Sequence, residues 1–304
     1  MDQKKIGKVV SCVGGLYTVE LENTKERISC RARGAFRHDS EKVLVGDNVS
    51  LFVGDIASGT AVETILERKN SLIRPPMANL DVMFLTLSAS RPEPSLFTAD
   101  KLISICEHNG IECAVIVGKC ELDRKRSEEI REIYTKAGYD VFVVSCFENE
   151  GIDELAAYVE KKLEGNTIAF AGASGAGKST LLNRLFPHLK LATGEVSFRT
   201  ERGKHTTRTV ELFEAFGGYV ADTPGFSMLD FERFDFFTKE DLPETFKEFR
   251  ECIGECRYTK CTHTKEDGCA VLEKLRRGEI AASRHESFLA LYETLKQKHD
   301  WNKK

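Results

Sequence analysis

The sequence predicts an α/β fold, preceded by a small antiparallel β-barrel and followed by a short helical module. Three observations support this division. Short alternating strands fill the N-terminal part, apolar strands then alternate with helices around a glycine-rich loop, and four of the 10 cysteines crowd near the C-terminus. We therefore expect three domains, at residues 1–70, 71–234 and 235–304.

The composition is that of a globular chain. Of 304 residues, 41% are hydrophobic and only 7 are prolines, which is enough apolar material for a sizeable core. The chain opens with MDQKKIGKVV, which lacks the apolar region of a signal peptide, and it has no apolar run of the ~20 residues that span a bilayer. We expect a cytoplasmic protein without membrane contact. A net charge of -4 argues against general affinity for nucleic acids, although it leaves room for local basic patches.

The barrel is predicted from the segments KIGKVVSCVGGLYTVELE, ERISCRARGAF, VGDNVSLFV and GTAVETILER, in which polar and apolar residues alternate between turns. Five such strands fit an OB-type fold, which often presents one face to oligonucleotides. One strand alternates arginines with apolar residues, so it either exposes a basic face or is a solvated edge guarded by charge. These arginines are Arg27, Arg31, Arg33 and Arg37. The segment NSLIRPPMANLD is predicted to be a linker, because its paired prolines cannot continue a ladder or a helix.

Strands and helices alternate beyond the linker. The segments VMFLTLS, AVIV, VFVV and TIAFA are predicted strands, and helices are expected at about 98–108, 127–136 and 152–163. This alternation predicts a mostly parallel sheet with helices on both faces. Ligands of such sheets bind at the carboxyl ends of the strands.

The strongest motif is GASGAGKS, residues 172–179, a complete GxxxxGK[ST] between a predicted strand and a predicted helix. Its glycines let backbone amides turn towards phosphates, Lys178 reaches the β- and γ-phosphate oxygens, and Ser179 can ligate Mg²⁺. The motif predicts nucleotide binding but does not specify the base. The expected phosphate-binding residues are Gly172, Ala173, Ser174, Gly175, Ala176, Gly177, Lys178, Ser179 and Thr180.

A second nucleotide motif follows in GGYVADTPGF. Asp222 ends a short apolar strand there, the position of a Walker-B carboxylate that holds the magnesium shell. Gly225 could contact the γ-phosphate through its backbone amide. The polar stretch between the two motifs is predicted to be a switch loop, in which Thr207 completes the Mg²⁺ shell in the triphosphate state, with Thr206 as the fallback.

Two upstream loops could recognise the base. Residues 118–121 follow AVIV within the stretch IVGKCELD, and Ser145 and Cys146 follow VFVV. In GTPases, guanine is bound by an Asn-Lys-x-Asp loop and then by a serine-containing loop one strand later. Here the loops keep that mutual order but both precede the phosphate-binding loop, which is a circularly permuted arrangement. The alternative is that IVGKCELD is a chance loop. Its candidate base-binding residues are Gly118, Lys119, Cys120 and Glu121.

This order resembles the RsgA/YjeQ/YloQ family of ribosome small-subunit-dependent GTPases. The barrel's VGDNV, the stretch RGKHTTR, the DTPGF and the C-terminal cysteine cluster also match, so the resemblance covers essentially the whole chain. It implies hydrolysis of GTP to GDP and phosphate during late maturation of the small ribosomal subunit, with binding to its rRNA and release on hydrolysis. We expect a monomer. The sequence departs from the family motif at Gly118, which replaces asparagine, and at Glu121, which replaces the aspartate that accepts hydrogen bonds from guanine.

The cysteine cluster CIGECRYTKCTHTKEDGC matches the C-x4-C-x-H-x5-C zinc motif of that family at Cys256, Cys261, His263 and Cys269. Three thiolates and one imidazole suit tetrahedral Zn²⁺, so the resemblance implies one structural zinc ion per chain. Cys252 is spare and could compete as a ligand. The helical segment that follows carries cations that either contact phosphates or merely solvate a helix. These are Lys274, Arg276, Arg277 and Arg284.

Catalysis must proceed without the glutamine that orients water in Ras-like enzymes, because Phe226 follows DTPG. His205 is the nearest candidate by sequence to assist Lys178 and Thr207, unless it is an ordinary exposed histidine. We expect slow hydrolysis until a ribosomal partner orders the switch. Two alternatives from other classes remain: an ATP-using P-loop enzyme, and a zinc-stabilised RNA-binding protein whose nucleotide site is vestigial.

Overall fold

The computed structural model describes residues 5–33, 42–53, 59–73, 75–189, 210–222 and 238–301. The chain divides into two compact units. The first draws on Met1–Val82, Ala157–Phe170 and Phe186–Phe226, and the second on Met83–Ala156, Ala171–Leu185 and Ser227–Lys304. Among the described helices, none has the length and apolar character needed to cross a membrane.

Five N-terminal strands close a barrel. They are β1 (Lys5–Val13), β2 (Leu16–Leu21), β3 (Arg27–Ala32), β4 (Asn48–Val53) and β5 (Thr60–Ile65). Strand β1 pairs antiparallel with both β2 and β4, β2 pairs with β3, β4 pairs with β5, and a parallel β3–β5 pair closes the barrel. Val9, Val19, Val49 and Val62 are fully buried, as alternation along half-buried strands requires. The predicted OB-type barrel is confirmed.

The arginine-bearing strand β3 alternates as its sequence predicts. Arg27 and Arg31 are exposed and Cys30 is buried. Arg27 donates to Glu20 at 3.0 Å, and Arg33 lies 3.5 Å from Glu63. Part of this basic face is therefore neutralised within the barrel itself. Arg37 lies outside the described residues.

The predicted linker contains a small hairpin, so the expectation of a segment without a ladder is wrong. Strands β6 (Ser71–Ile73) and β7 (Pro76–Ala78) pair antiparallel. Pro75 occupies the turn and Pro76 is the first residue of β7. Proline is tolerated at such a position, because its missing amide removes little from the ladder.

The remaining elements alternate between strands and helices. The strands are β8 (Val82–Ser88), β9 (Glu112–Gly118), β10 (Asp140–Val144), β11 (Thr167–Gly172), β12 (Glu211–Ala215) and β13 (Gly218–Asp222). The helices are α1 (Leu96–His108), α2 (Arg124–Lys136), α3 (Ile152–Leu163), α4 (Lys178–Leu185), α5 (Lys247–Arg250), α6 (Ala270–Arg276) and α7 (Ala282–Trp301). The predicted α/β alternation is confirmed.

In the first unit, β13 runs parallel to β11 and antiparallel to β12, and β12 meets β1 at the pair Ser11–Glu211. In the second unit, the strand order is β10-β9-β8, with β9 and β10 parallel. Helices α1 and α2 begin earlier than predicted, because Ser95 and Asp123 cap them by accepting hydrogen bonds from the amides of Thr98 and Arg126. Every residue of β8 is buried, as expected for a strand covered on both faces.

The C-terminal helices pack around an aromatic core. Its centre is formed by Phe246, Phe249 and Phe288, whose ring centroids lie 4.9 to 5.4 Å apart. Helix α7 contacts α1 of the same unit. The tested part of the predicted helical module, α6 and α7, is therefore helical as expected.

The sequence predicts that Arg284 either contacts phosphates or lies on a solvated helix face, and both predictions are wrong. Its side chain is fully buried, and it donates to Asp100 at 2.7 Å and to Glu248 at 2.7 Å. Tyr134 of α2 donates to the same Asp100 oxygen at 3.0 Å. We call Arg284, Asp100 and Glu248 the ion cluster. It joins α7 to α1 and, through Tyr134, to α2. The neighbouring cations behave differently, since Lys274 pairs with Glu251 and Arg276 and Arg277 pair with Glu273 on the surface.

Candidate functional site

The phosphate-binding motif forms a tight turn that leads into α4, which begins at Lys178. Gly175 and Gly177 have φ of 78° and 96°, in the left-handed region that side chains disfavour. Gly172 is required for another reason, since a Cβ there would lie 2.6 Å from the carbonyl oxygen of Thr86. The sequence therefore folds this segment so that its backbone amides and the start of α4 form an anion-binding turn.

The loop at 118–121 lies directly against that turn. Lys119 has a left-handed backbone, with φ of 59°, and its ammonium group donates to the carbonyl oxygens of Gly175 and Arg91, each at 2.7 Å. The lysine thus joins two loops that are 56 residues apart in sequence. IVGKCELD and the phosphate-binding turn are neighbours in space.

Gly118 has room for a larger residue. A Cβ at this position would lie 3.4 Å from the carbonyl oxygen of Ala176 and 3.6 Å from that of Leu87, which is ordinary contact. The backbone therefore does not require glycine here, and the absent asparagine is not explained by a collision at Cβ.

Glu121 lies in a short 3-10 turn, Cys120–Leu122, whose first residue is buried. Its Oε2 atom is also buried and has no hydrogen-bond partner among the residues that the structure describes. A buried carboxylate oxygen without a donor costs free energy, on the order of 1–3 kcal/mol or more for a charged group. This atom is therefore a hydrogen-bond acceptor that a bound ligand with an N–H group could satisfy.

The second upstream loop is fixed by Ser145. This buried residue exchanges two backbone hydrogen bonds with Glu150, both of 3.0 Å, and its hydroxyl accepts the amide of Glu148 at 2.9 Å. Arg184 of α4 donates to the carbonyl oxygen of Cys146 at 3.1 Å. The loop is thereby tied to the helix that follows the phosphate-binding turn.

The γ-phosphate side of the predicted site is described only in part. Asp222 ends β13, which runs parallel to β11, the strand that leads into the phosphate-binding turn. Its side chain lies outside the description, and so do the predicted residues His205, Thr206, Thr207, Gly225 and Phe226.

The metal centre contains all four predicted ligands. The ligand atoms of Cys256, Cys261, His263 and Cys269 lie within 4.8 Å of one another. The Sγ atoms of Cys256 and Cys269 are 3.9 Å apart, and Nδ1 of His263 lies 3.6 and 3.5 Å from them. A tetrahedral Zn²⁺ with bonds of about 2.3 Å to sulfur and about 2.0–2.1 Å to nitrogen requires edges of about 3.8 and 3.5 Å. The donor set therefore fits zinc in both chemistry and spacing.

Burial changes the ionisation of two residues of this centre. Burial raises the pKa of the Cys261 thiol to about 12 and lowers the pKa of His263. The imidazole is therefore neutral, as a ligand must be, and the thiol becomes a thiolate only beside a cation. Cys252 does not belong to the centre, because it is not among the residues whose ligand atoms lie within 4.8 Å of one another; it packs in the aromatic core with Phe249 and Phe288.

Two residues that the sequence did not single out hold the metal loop. Glu266 accepts backbone amides of Thr262, Thr264 and Lys265 at 2.9–3.1 Å. Burial alone would raise the pKa of Glu266, but hydrogen bonds from Thr262 and from backbone amides lower it to about 2. Nε2 of His285 donates to the carbonyl oxygen of His263 at 2.9 Å, which fixes a ligand residue from α7.

Sequence reasoning could have found Glu266, because an acidic residue inside a polar turn often caps backbone amides. The sequence around three other contributing residues contains no pattern that predicts their contacts. These are Arg91, Arg184 and His285. Arg91 acts through a backbone carbonyl that any residue supplies, and the other two depend on contacts between segments that are distant in sequence.

Two family models match the chain. The RsgA N-terminal domain covers residues 6–60, and the RsgA GTPase covers residues 65–232. Among curated relatives, the small ribosomal subunit biogenesis GTPase RsgA of Ruminiclostridium cellulolyticum is 40% identical over 295 residues, which are 96% of this chain and 94% of the relative. The protein of that name from Bacillus velezensis is 40% identical over 297 residues, 96% of this chain and 98% of the relative.

Solved structures give the same result. YjeQ from Thermotoga maritima is 36% identical, with a TM-score of 0.79 over 96% of this chain and 98% of that one. YloQ, described as a circularly permuted GTPase, is 33% identical, with a TM-score of 0.77 over 97% and 96%. The permuted order of the two upstream loops and the phosphate-binding turn therefore has its match in known structures, and this chain belongs to the RsgA GTPase family.

Proposed function

We propose that this protein is a GTPase that hydrolyses GTP to GDP and phosphate during late maturation of the small ribosomal subunit. The observation that supports the proposal is the hydrogen bond from Lys119 to the carbonyl oxygen of Gly175, which joins the loop at 118–121 to the glycine-rich turn. Family membership supports it, since the relatives are named small ribosomal subunit biogenesis GTPases.

Guanine is recognised by the carboxylate of Glu121. Its buried Oε2 has no donor in the described part of the chain, and guanine supplies donors at N1 and N2, whereas adenine has none at those positions. The aliphatic stem of Lys119 covers the base. The amide of Ser145 is already bound to Glu150, so the second loop offers the backbone amide of Cys146. Gly118 contributes no side-chain amide, so the discrimination between guanine and adenine depends more strongly on the carboxylate of Glu121.

The triphosphate is bound by the turn at 172–177 and by the residues that open α4. Lys178 contacts the β- and γ-phosphates, and Ser179 and Thr180 follow at the helix N-terminus. Ser179, Asp222 and Thr207 hold Mg²⁺ in the triphosphate state, and this ion neutralises charge on the phosphates. Gly225 contacts the γ-phosphate through its amide.

Hydrolysis depends on the switch segment. Phe226 cannot orient water by hydrogen bonding, so we assign that role to His205, with Lys178 and Thr207 stabilising developing charge. Turnover is therefore slow in the free protein and rises when the small subunit orders the segment.

The zinc ion is structural. Four protein ligands fill a tetrahedral shell and leave no open position for a substrate. We propose that the barrel and the C-terminal module bind rRNA of the small subunit, that the protein works in the cytoplasm, and that it is a monomer.

The decisive experiment measures turnover of GTP and ATP with and without small ribosomal subunits. We expect preferential turnover of GTP and strong stimulation by the subunits. Equal turnover of ATP would instead indicate a general P-loop enzyme. Tight subunit binding without turnover would indicate an RNA-binding protein with a vestigial site.

Two variants test the switch assignment. Thr207→Ala should leave GDP binding nearly intact and abolish stimulated turnover, because the threonine contacts magnesium only in the triphosphate state. His205→Ala should lower stimulated turnover without weakening GTP binding. Unchanged turnover in the His205 variant would remove that residue from the mechanism.

A further inference from the structure

The first compact unit contains a cavity of about 240 Å³ that the proposed function does not use. None of its lining residues belongs to the nucleotide loops or to the metal centre. The lining is predominantly polar and includes two lysines, Lys8 and Lys69, together with Asn48, Asp81, Thr167 and Tyr219.

Lys8 is a half-buried cation without a counter-charge. Its Nζ lies 5.6 Å from the centre of the Tyr219 ring. Within the described residues, no carboxylate lies at ion-pair distance from this ammonium group. A buried ammonium normally has a partner, because removing it from water is costly.

The carboxylates around the cavity are already engaged by other cations. Arg68 donates to Asp47 at 2.6 and 2.8 Å. Lys69 donates to Asp81 at 2.8 Å. The third carboxylate, Glu20, accepts from Arg27 at 3.0 Å and from the Tyr219 hydroxyl at 2.7 Å. Lys8 is therefore the surplus positive charge at this site.

The electrostatic environment agrees with this assignment. Burial lowers the pKa of Lys8, Asp81 and Asp47 act in the opposite direction, and the charge of Lys69 lowers it further. The ammonium groups of Lys8 and Lys69 thus repel each other across the cavity. An anion between them would relieve that repulsion and restore the solvation that Lys8 has lost.

We propose that the cavity binds inorganic phosphate, which still carries a proton at neutral pH, whereas a phosphomonoester with its second pKa of about 6 has lost it. Lys8 and Lys69 supply the charge and Asn48 supplies a further donor. Asp81 also lines the cavity, and its carboxylate can only accept hydrogen bonds. A protonated phosphate can donate to Asp81, whereas a phosphodiester of RNA has no proton to donate. This site is independent of the nucleotide assigned to the phosphate-binding turn.

Lysine acetylation tests the proposal in the unaltered protein. The protein is saturated with GDP and Mg²⁺ so that the phosphate-binding turn is filled, treated with an amine-reactive acetylating reagent, and analysed by peptide mass spectrometry. Inorganic phosphate should slow acetylation of Lys8 about tenfold, because an anion beside an amine favours its protonated form. The exposed Lys42 is the internal control and should react at an unchanged rate.

Three further acetylation experiments, with other anions in place of phosphate, test which ligand the cavity binds. Chloride at matched ionic strength should leave Lys8 unprotected, and phosphoserine, whose phosphate has lost its last proton at neutral pH, should protect it more weakly than inorganic phosphate does. Protection by a short single-stranded RNA without protection by phosphate would overturn the proposal in favour of a backbone contact. Equal reactivity of Lys8 under all conditions would overturn it entirely.

Equilibrium dialysis with radiolabelled phosphate gives an independent measurement. Lys8→Met removes the charge and keeps much of the aliphatic volume, so phosphate affinity should fall about tenfold while GDP affinity stays at the parent value. Lys42→Met removes an exposed charge and should bind phosphate as the parent does. Parental phosphate binding by a Lys8→Met protein that still binds GDP would contradict the site.

Discussion

The metal centre and the nucleotide loops are organised in opposite ways. All four metal ligands come from one short segment, between Cys256 and Cys269, and the loop that presents them is held by Glu266. The nucleotide loops follow three separate strands, β9, β10 and β11, of which β9 and β11 are almost completely buried. The metal site is local in sequence and is presented by a polar loop, whereas the nucleotide loops are brought together by a sheet from segments that are far apart in sequence.

This difference teaches what each ligand does for the fold. A loop rich in polar residues keeps its shape because a metal ties it together, so binding energy at that site is folding energy. A sheet buries its own apolar surface, so its loops stay in place without nucleotide. Removing the ligand should therefore disorder the first region and leave the second ordered.

Zinc removal should produce the largest effect. Structural zinc contributes on the order of 10 kcal/mol in small metal-bound domains. A strong chelator, or Cys261→Ser, should increase hydrogen exchange of residues after 250 while GDP affinity changes less than about twofold. Metal analysis of untreated protein should find about one zinc ion per chain.

Two results would break the comparison. Protein purified without chelators that contains no metal would remove zinc from the fold. A loss of GDP affinity parallel to the loss of metal would show that the nucleotide loops depend on the metal centre.

The ion cluster provides the next test, because it connects α7 to α1 and α2. Arg284→Met leaves Asp100 and Glu248 buried without their cation, which should lower the free energy of unfolding by about 3–5 kcal/mol. Arg131→Met is the matched control, since it breaks an exposed pair with Glu128 and should leave the free energy of unfolding nearly unchanged. Urea denaturation of both variants measures the difference. A similar decrease in the free energy of unfolding for the two variants would show that the buried ion cluster contributes no more to stability than an exposed pair.

Glu121→Ala should have a smaller and more selective effect. Loss of the carboxylate should weaken GDP binding about tenfold, corresponding to about 1.4 kcal/mol, with little change for ADP. Titration of fluorescent GDP and ADP gives both affinities. Undiminished GDP affinity would mean that another group recognises the base.

The smallest effect is expected from restoring the family motif. Gly118→Asn combined with Glu121→Asp should tighten GDP binding several-fold, because an amide donor is gained and the carboxylate keeps its role. A Cβ atom at Gly118 would make only ordinary van der Waals contacts. The double variant should also increase the preference for GTP over ATP in turnover. Weaker GDP binding would indicate that the loop is adapted to the longer glutamate.

Much of the fold and the ligand set of the metal centre could be predicted from the sequence. The barrel, the permuted order of the loops and the metal ligands follow from patterns that physical chemistry restricts strongly, such as strand alternation and ligand spacing. Arg284 could not be placed, since an arginine on a helix carries no sign of a buried carboxylate 184 residues away. The role of Arg91 could not be predicted either, because it acts through a backbone carbonyl oxygen that every residue has. The hairpin could not be predicted because paired prolines usually exclude strand pairing, whereas Pro76 is the first residue of β7.

That long separation within the ion cluster also has a consequence for synthesis of the chain. Asp100 leaves the ribosome 184 residues before Arg284, which at about 5–20 residues per second is a delay of roughly ten to forty seconds. During that interval Asp100 can accept a hydrogen bond from Tyr134 but has no cation, and the face of α1 that contacts α7 stays in water. The second compact unit can close only when nearly the whole polypeptide has emerged, and any chain terminated before residue 284 lacks the residue that neutralises this face.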